Sequence, residues 1–140
     1  MTEPVAADSA PAARAMAPRT FGPLTRTDFV RYQGASGDMQ PLHHDEQFAR
    51  AAGYPAPLAI GMLNAGLLAT WATDWLGAEN VRMFRVRFCE QAWPGDVVTC
   101  TGTVVREDED SDGLAMIDIE LTCTREGGGV AARGWASFVR

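Results

Sequence analysis

The chain contains no lysine: all twelve of its basic residues are arginine. Against eighteen acidic residues this leaves a net charge of −6. That balance excludes a general nucleic-acid binder and gives no broad basic surface for an anionic membrane. Histidine is almost as scarce. The two present stand side by side as His43 and His44, so imidazole chemistry is confined to one place and no metal-binding histidine spacing exists. The three cysteines, Cys89, Cys100 and Cys123, are scattered, with no Cys-x-x-Cys. They read as small apolar strand residues of a reduced, cytoplasmic protein, and neither a zinc site nor another cofactor is expected. Residues 1–19 are rich in Ala and Pro and lack the apolar centre of a secretory signal. The expectation is a disordered tail over 1–19 and one folded domain over 20–140.

The first half of the chain reads as short helices and loops. Thr20 to Leu24 suits a short strand, and Thr27 or Asp28 suits the cap of a short helix through Phe29, Val30 and Tyr32. Asp45 caps a second short helix, Glu46 to Ala52, closed by Gly53. From Ala59 to Leu76 the chain is apolar almost all the way round, which predicts a helix buried on all sides and ended by Gly77. Asn64, Thr70, Thr73 and Asp74 interrupt it and argue against a membrane span. Gly61 and Gly66 weaken such a helix unless another backbone approaches closely or Gly61 sits in the first turn.

The second half changes to a period of two. Phe84, Val86 and Phe88 alternate with Arg85 and Arg87; Val97 to Val105 is rich in Val and Thr; Ile117, Ile119, Leu121 and Cys123 alternate with polar residues; Val130 to Val139 closes the chain. Glu107 to Gly113 reads as an acidic hairpin loop. One buried helix followed by four strands predicts an α+β fold, a curved antiparallel sheet of about five strands wrapped around the helix. The open edge of such a sheet makes a second copy an expected partner.

The most informative segment is Tyr32-Gln33-Gly34-Ala35-Ser36-Gly37-Asp38-Met39-Gln40-Pro41-Leu42-His43. Gly37 and Pro41 forbid a regular helix through it, so Asp38 and His43 sit on a shaped loop that can aim both at one spot. A carboxylate beside an imidazole is suited to moving protons to and from water. Alone, the spacing fits an ordinary capped turn better than a catalytic site.

The segment resembles the signature of the MaoC-like hot-dog family, Tyr-x-x-x-Ser-Gly-Asp-x-Asn-Pro-(Leu/Ile)-His. Gly61-Met62-Leu63 and then Val86-Arg87-Phe88 with Trp93-Pro94-Gly95-Asp96 resemble further family blocks in the right order. The family includes (R)-specific enoyl-CoA hydratases and 3-hydroxyacyl-thioester dehydratases. The resemblance implies a single hot-dog domain that acts on an acyl-CoA or acyl-carrier-protein thioester, as a homodimer or beside another hot-dog chain. It implies that Asp38 and His43 hold the catalytic water and that the Gly61 N–H polarises the thioester carbonyl. Ser36, Gly37, Ile60, Met62, Asn64 and Arg87 are the expected substrate-binding residues. The chain departs from the pattern at Gln40, in place of the usual asparagine, at Ile60, where many members have histidine, and at Ala69, where some have serine. His44 is expected as an exposed neighbour, Trp71 and Trp75 as packing residues, and Arg82, Arg85 and Arg87 as a solvated basic strip or a place for CoA phosphates. Which of Asp38 and His43 is the base stays open. A catalytic subunit of a heteromer for bulky acyl-CoA, a thioesterase and a non-catalytic binding protein are the competing readings.

Overall fold

The computed structural model describes residues 16–140. In chain order, β1 (Arg19–Phe21) leads into α1 (Arg26–Ser36), a 3-10 turn (Pro41–His43), α2 (Glu46–Ala51) and α3 (Gly61–Leu76). A second 3-10 turn (Ala78–Asn80) then precedes β2 (Val81–Phe88), β3 (Val98–Glu109), β4 (Ala115–Arg125) and β5 (Val130–Val139). The strands form one antiparallel sheet in the order β1-β3-β4-β5-β2. The sheet curves around α3, which packs against β2, β3, β4 and β5, so the expected architecture is met.

Alternation puts Ile117, Ile119, Leu121 and Cys123 of β4 into the core, joined by Cys100 and Val98 of β3 and by Ala132, Ala136 and Phe138 of β5. On α3, Leu68, Trp71 and Ala72 answer them, and all three are fully buried. The Trp71 ring lies on Gly102, where a Cβ would come within 2.6 Å of it, so β3 needs glycine at this point. Cys100 and Cys123 face each other across β3 and β4. The hydrogen bond with the neighbouring Cys123 thiol, and then burial, push the Cys100 thiol up and keep it protonated.

Four expectations need correction. The cap of α1 is Thr25, not Thr27 or Asp28: Thr25 Oγ1 accepts from the Asp28 N–H, and Asp28 accepts from the Thr25 N–H in return. Helix α1 is also longer than expected and runs through Gly34 to Ser36. The acidic run is strand as far as Glu109, because the outward side chains of Glu107 and Asp108 find Arg140 and Arg106; only 110–114 form the tip. Helix α3 is not covered on all sides within one chain: Met62 is 52% exposed, Thr70 is exposed, and Gly66, Ala69 and Thr73 are half-buried. Nothing approaches Gly66 within 4 Å of where a Cβ would stand.

Of the tail expected over 1–19, residues 16–19 belong to the fold: Ala17 O accepts from Trp71 Nε1 at 3.1 Å, and Arg19 pairs with Asp74 at 2.7 Å. The rest of that expectation lies outside the described residues. Among the described residues no helix is long and apolar enough to cross a membrane, and no cluster of His, Cys, Asp and Glu has metal-ligand geometry.

Candidate functional site

The loop after α1 is shaped by its breakers. Gly37 closes the helix in the left-handed region, at φ 77°, with its N–H donating to Gln33 O. The chain then turns back on itself: Asp38 N donates to Ser36 Oγ at 3.2 Å and Gln40 N to Asp38 Oδ1 at 3.2 Å. Pro41 opens the 3-10 turn that carries His43, and Asp45 caps α2 by accepting from Phe48 N, as expected.

His43 is 9% exposed, and its ring is fixed at one end. Its Nδ1 lies 2.7 Å from Leu58 O. A carbonyl only accepts, so Nδ1 carries the proton and the neutral ring presents a lone pair at Nε2. The Leu58 carbonyl is itself held, since Leu58 N donates to Leu42 O and Ala59 N to Ala92 O. Nε2 faces Asp38 Oδ2 across 4.0 Å. That gap is too long for a direct hydrogen bond and suits one shared water. The Asp38 side chain is 45% exposed, so the pair sits where a buried ring meets an open carboxylate.

His43 and Gly61 line one cavity of about 290 Å³, with Leu58, Ala59, Asn64 and the 88–92 segment. Gly61 is the first residue of α3, and Ile60 before it offers no capping side chain. The positive end of the helix therefore opens onto the cavity. A Cβ at Gly61 would stand 3.1 Å from the Phe88 ring, so glycine lets β2 close on the helix mouth. Asn64 is 3% exposed, and its Oδ1 has no hydrogen-bond partner.

Of the residues singled out by sequence, His43, Gly61 and Asn64 line this cavity, and Asp38 faces His43 without being part of its lining. Ser36 and Gly37 shape the loop. Ile60, Met62 and Arg87 do not line this cavity: Ile60 is a core residue, Met62 lies on the open flank of α3, and Arg87 points away from the core. A second cavity, about 430 Å³ and largely apolar, lies on the other flank of α3 against α1, lined by Phe21, Leu24, Tyr32, Leu63 and Leu67.

Three features were not anticipated. Glu90 brings a further carboxylate to the first cavity. Leu58 acts through its carbonyl, which no side-chain pattern records. Gln33, one turn after buried Phe29, is 2% exposed. Its Nε2 donates to Asp38 O at 2.8 Å and Gln40 O at 3.2 Å, and its Oε1 lies 3.0 Å from His44 Nδ1. The signal was the i, i+4 spacing from Phe29, which puts Gln33 on the inner face of α1.

A curved sheet around one helix, with an Asp-His loop at the helix mouth, defines a hot-dog domain of the hydratase and dehydratase kind. The chain belongs to the MaoC-like domain family, which matches residues 8–122. Over 66 residues, 45% of this chain, it is 38% identical to enoyl-CoA hydratase ChsH3 of Mycobacterium tuberculosis, and the match spans 23% of that protein. It therefore corresponds to about a quarter of this curated relative. The (R)-hydratase from A. caviae involved in PHA biosynthesis superposes with a TM-score of 0.79 at 23% identity, covering 94% of this chain and 97% of that one. The ChsH1-ChsH2 complex of M. tuberculosis gives a TM-score of 0.78 at 21% identity, covering 91% and 97%. At these identities the two structures speak for the fold.

Proposed function

We propose that this chain adds water reversibly to trans-2-enoyl thioesters, with CoA as the expected carrier, giving (R)-3-hydroxyacyl thioesters. One observation carries the reading: the proton-fixed ring of His43, which lines the cavity onto which the uncapped end of α3 opens, aims its Nε2 lone pair at the Asp38 carboxylate 4.0 Å away. In the hydration direction a water sits between Asp38 and His43 Nε2. His43 takes its proton as the oxygen bonds to C3. The C2=C3 electrons move to the thioester oxygen, and the Gly61 N–H at the helix N-terminus stabilises that developing charge. The imidazolium then returns a proton to C2. Dehydration runs the same steps backwards. Asn64, one turn deeper on α3 than Gly61, brings an unpartnered amide oxygen to the same cavity, where it can accept from the 3-hydroxyl of the hydrated product. The free cysteines fit a reduced cytoplasmic setting.

The test is loss of enoyl-thioester ultraviolet absorbance, with crotonyl-CoA first and then longer and branched analogues. Turnover of at least one substrate is expected, and none across the panel would refute the reading.

The uncovered flank of α3 favours work beside a second hot-dog chain, either a copy of this one or a different one, as in the ChsH1-ChsH2 pair. Size-exclusion of the isolated chain, with activity measured with no added partner, separates those cases. Thioester hydrolysis is the rival chemistry. Asp74, the only acid on α3, is held by Arg19 at the far end, which leaves Glu90 as the one extra carboxylate available for it. Release of free thiol without consumption of the enoyl group would mark that chemistry.

A further inference from the structure

We propose that Gln33, backed by His44, is a positioning residue for Asp38. The proposal rests on the reading that Asp38 and His43 hold the reacting water.

The side-chain amide of Gln33 has two N–H groups, and both are used: one meets Asp38 O at 2.8 Å and the other Gln40 O at 3.2 Å. Both acceptors are carbonyls, so the amide nitrogen must face them and Oε1 must face His44. His44 Nδ1, 3.0 Å from Oε1, therefore carries the proton. The two adjacent histidines are thus both protonated on Nδ1 but look in opposite directions, His43 into the cavity and His44 behind the loop.

The consequence falls on Asp38. Its backbone and that of Gln40 are pinned from inside by one buried amide, across a reversal of only three residues. Asp38 Oδ1 is engaged by Gln40 N alone, which leaves Oδ2 aimed at His43. Without the amide the side chains of α1 hold this reversal only through the 3.2 Å bond from Asp38 N to Ser36 Oγ, and the carboxylate loses its fixed approach to the water. A misplacement of about 1 Å in such a pair costs about 10²-fold in rate.

Three variants separate the parts. Gln33→Glu keeps the length and the acceptor for His44 but has no donor for the two carbonyls. Gln33→Met removes both interactions. His44→Ala leaves the donors in place but frees the far end of the amide. For Gln33→Glu and Gln33→Met, kcat per folded site should fall by about 10–100-fold with KM within about threefold, since no substrate contact changes. His44→Ala should cost less, about threefold to tenfold, and His44→Gln, which restores a donor, should recover most of that loss. A merely structural glutamine would lower the melting temperature while leaving kcat per folded site unchanged. Folded Gln33→Glu with wild-type kcat would overturn the proposal.

A second readout does not depend on turnover. With only two histidines, nitrogen-15 spectra of the labelled side chains contain two rings. Gln33→Met should release His44 from the Nδ1–H form and shift the His43 ring signals; unchanged spectra would overturn the proposal. If the wild-type chain hydrates no enoyl-CoA, the functional reading fails, and these spectra still decide whether Gln33 organises the loop.

Discussion

Two short turns in this protein each carry an aspartate and a left-handed glycine, and they put their carboxylates to different uses. One ends at Gly113, φ 78°, between β3 and β4; the other follows Gly37, φ 77°, at the end of α1. Asp110 spends its carboxylate inside its own turn: Oδ1 accepts from Asp112 N at 2.9 Å and Leu114 N at 3.0 Å. Asp38 gives its own turn only the Gln40 N–H, because a buried glutamine on another element holds the loop backbone. A carboxylate becomes available for chemistry where something else does the structural work. The motif alone does not separate the two cases, since both are short Gly- and Asp-bearing turns.

The comparison breaks most visibly at the imidazole. His43→Ala should lower hydration by about 10²–10⁴-fold while the fold, checked by circular dichroism, persists. A smaller loss is expected at the helix mouth. Gly61→Ala puts a Cβ 3.1 Å from the Phe88 ring, which lines the same cavity and must give way to it. Activity should fall about tenfold, with about 1 kcal/mol lost in denaturant melts. At the other turn, Asp110→Ala should cost about 1 kcal/mol of stability and leave turnover unchanged; a loss of activity there would mean that the two turns are not distinct in role.

Asp118 sharpens the contrast as a third carboxylate, one that is fully engaged. Ser137 Oγ donates to it at 2.5 Å and Arg106 Nε at 2.7 Å. The Ser137 hydrogen bond first, and then Arg106, hold its carboxyl below the usual carboxylate value despite some burial. The folded state thus keeps its proton off to lower pH than the unfolded chain does. The stabilisation is complete above the unfolded value, near pH 4, and is lost as pH falls through the lower folded value. Asp118→Asn should therefore cost about 1 kcal/mol at neutral pH, discounted for partial exposure, and the gap from wild type should close as pH falls through the lowered folded value. Thermal melts across pH check this.

Much of the architecture was legible because local chemistry and burial agree. Asp45 and Gly53 bracket α2, Gly61 and Gly77 bracket α3, and the strict alternation of β4 names its buried residues. The misreadings have identifiable causes. Thr25 caps α1 through Asp28 where the commoner capping partner is Glu, so later residues competed for the role. Glu107 to Glu109 look like a loop by charge, yet strand ends tolerate outward acids when Arg106 and Arg140 stand opposite. An all-apolar helix reads as wrapped on every side; one chain leaves Met62 and Thr70 open. At the site, the types and spacing of Asp38, His43 and Gly61 could be read directly. The Leu58 carbonyl and the amide of Gln33 could not, because their importance comes from where the backbone of a distant segment points.

The central claim is that Asp38 is free to act where Asp110 is not. The direct test follows crotonyl-CoA absorbance side by side for the wild-type chain, Asp38→Asn and Asp110→Asn. The account predicts hydration by the wild type and by Asp110→Asn at similar rates, with a loss of at least about 10²-fold in a folded Asp38→Asn. Wild-type turnover by Asp38→Asn would contradict it.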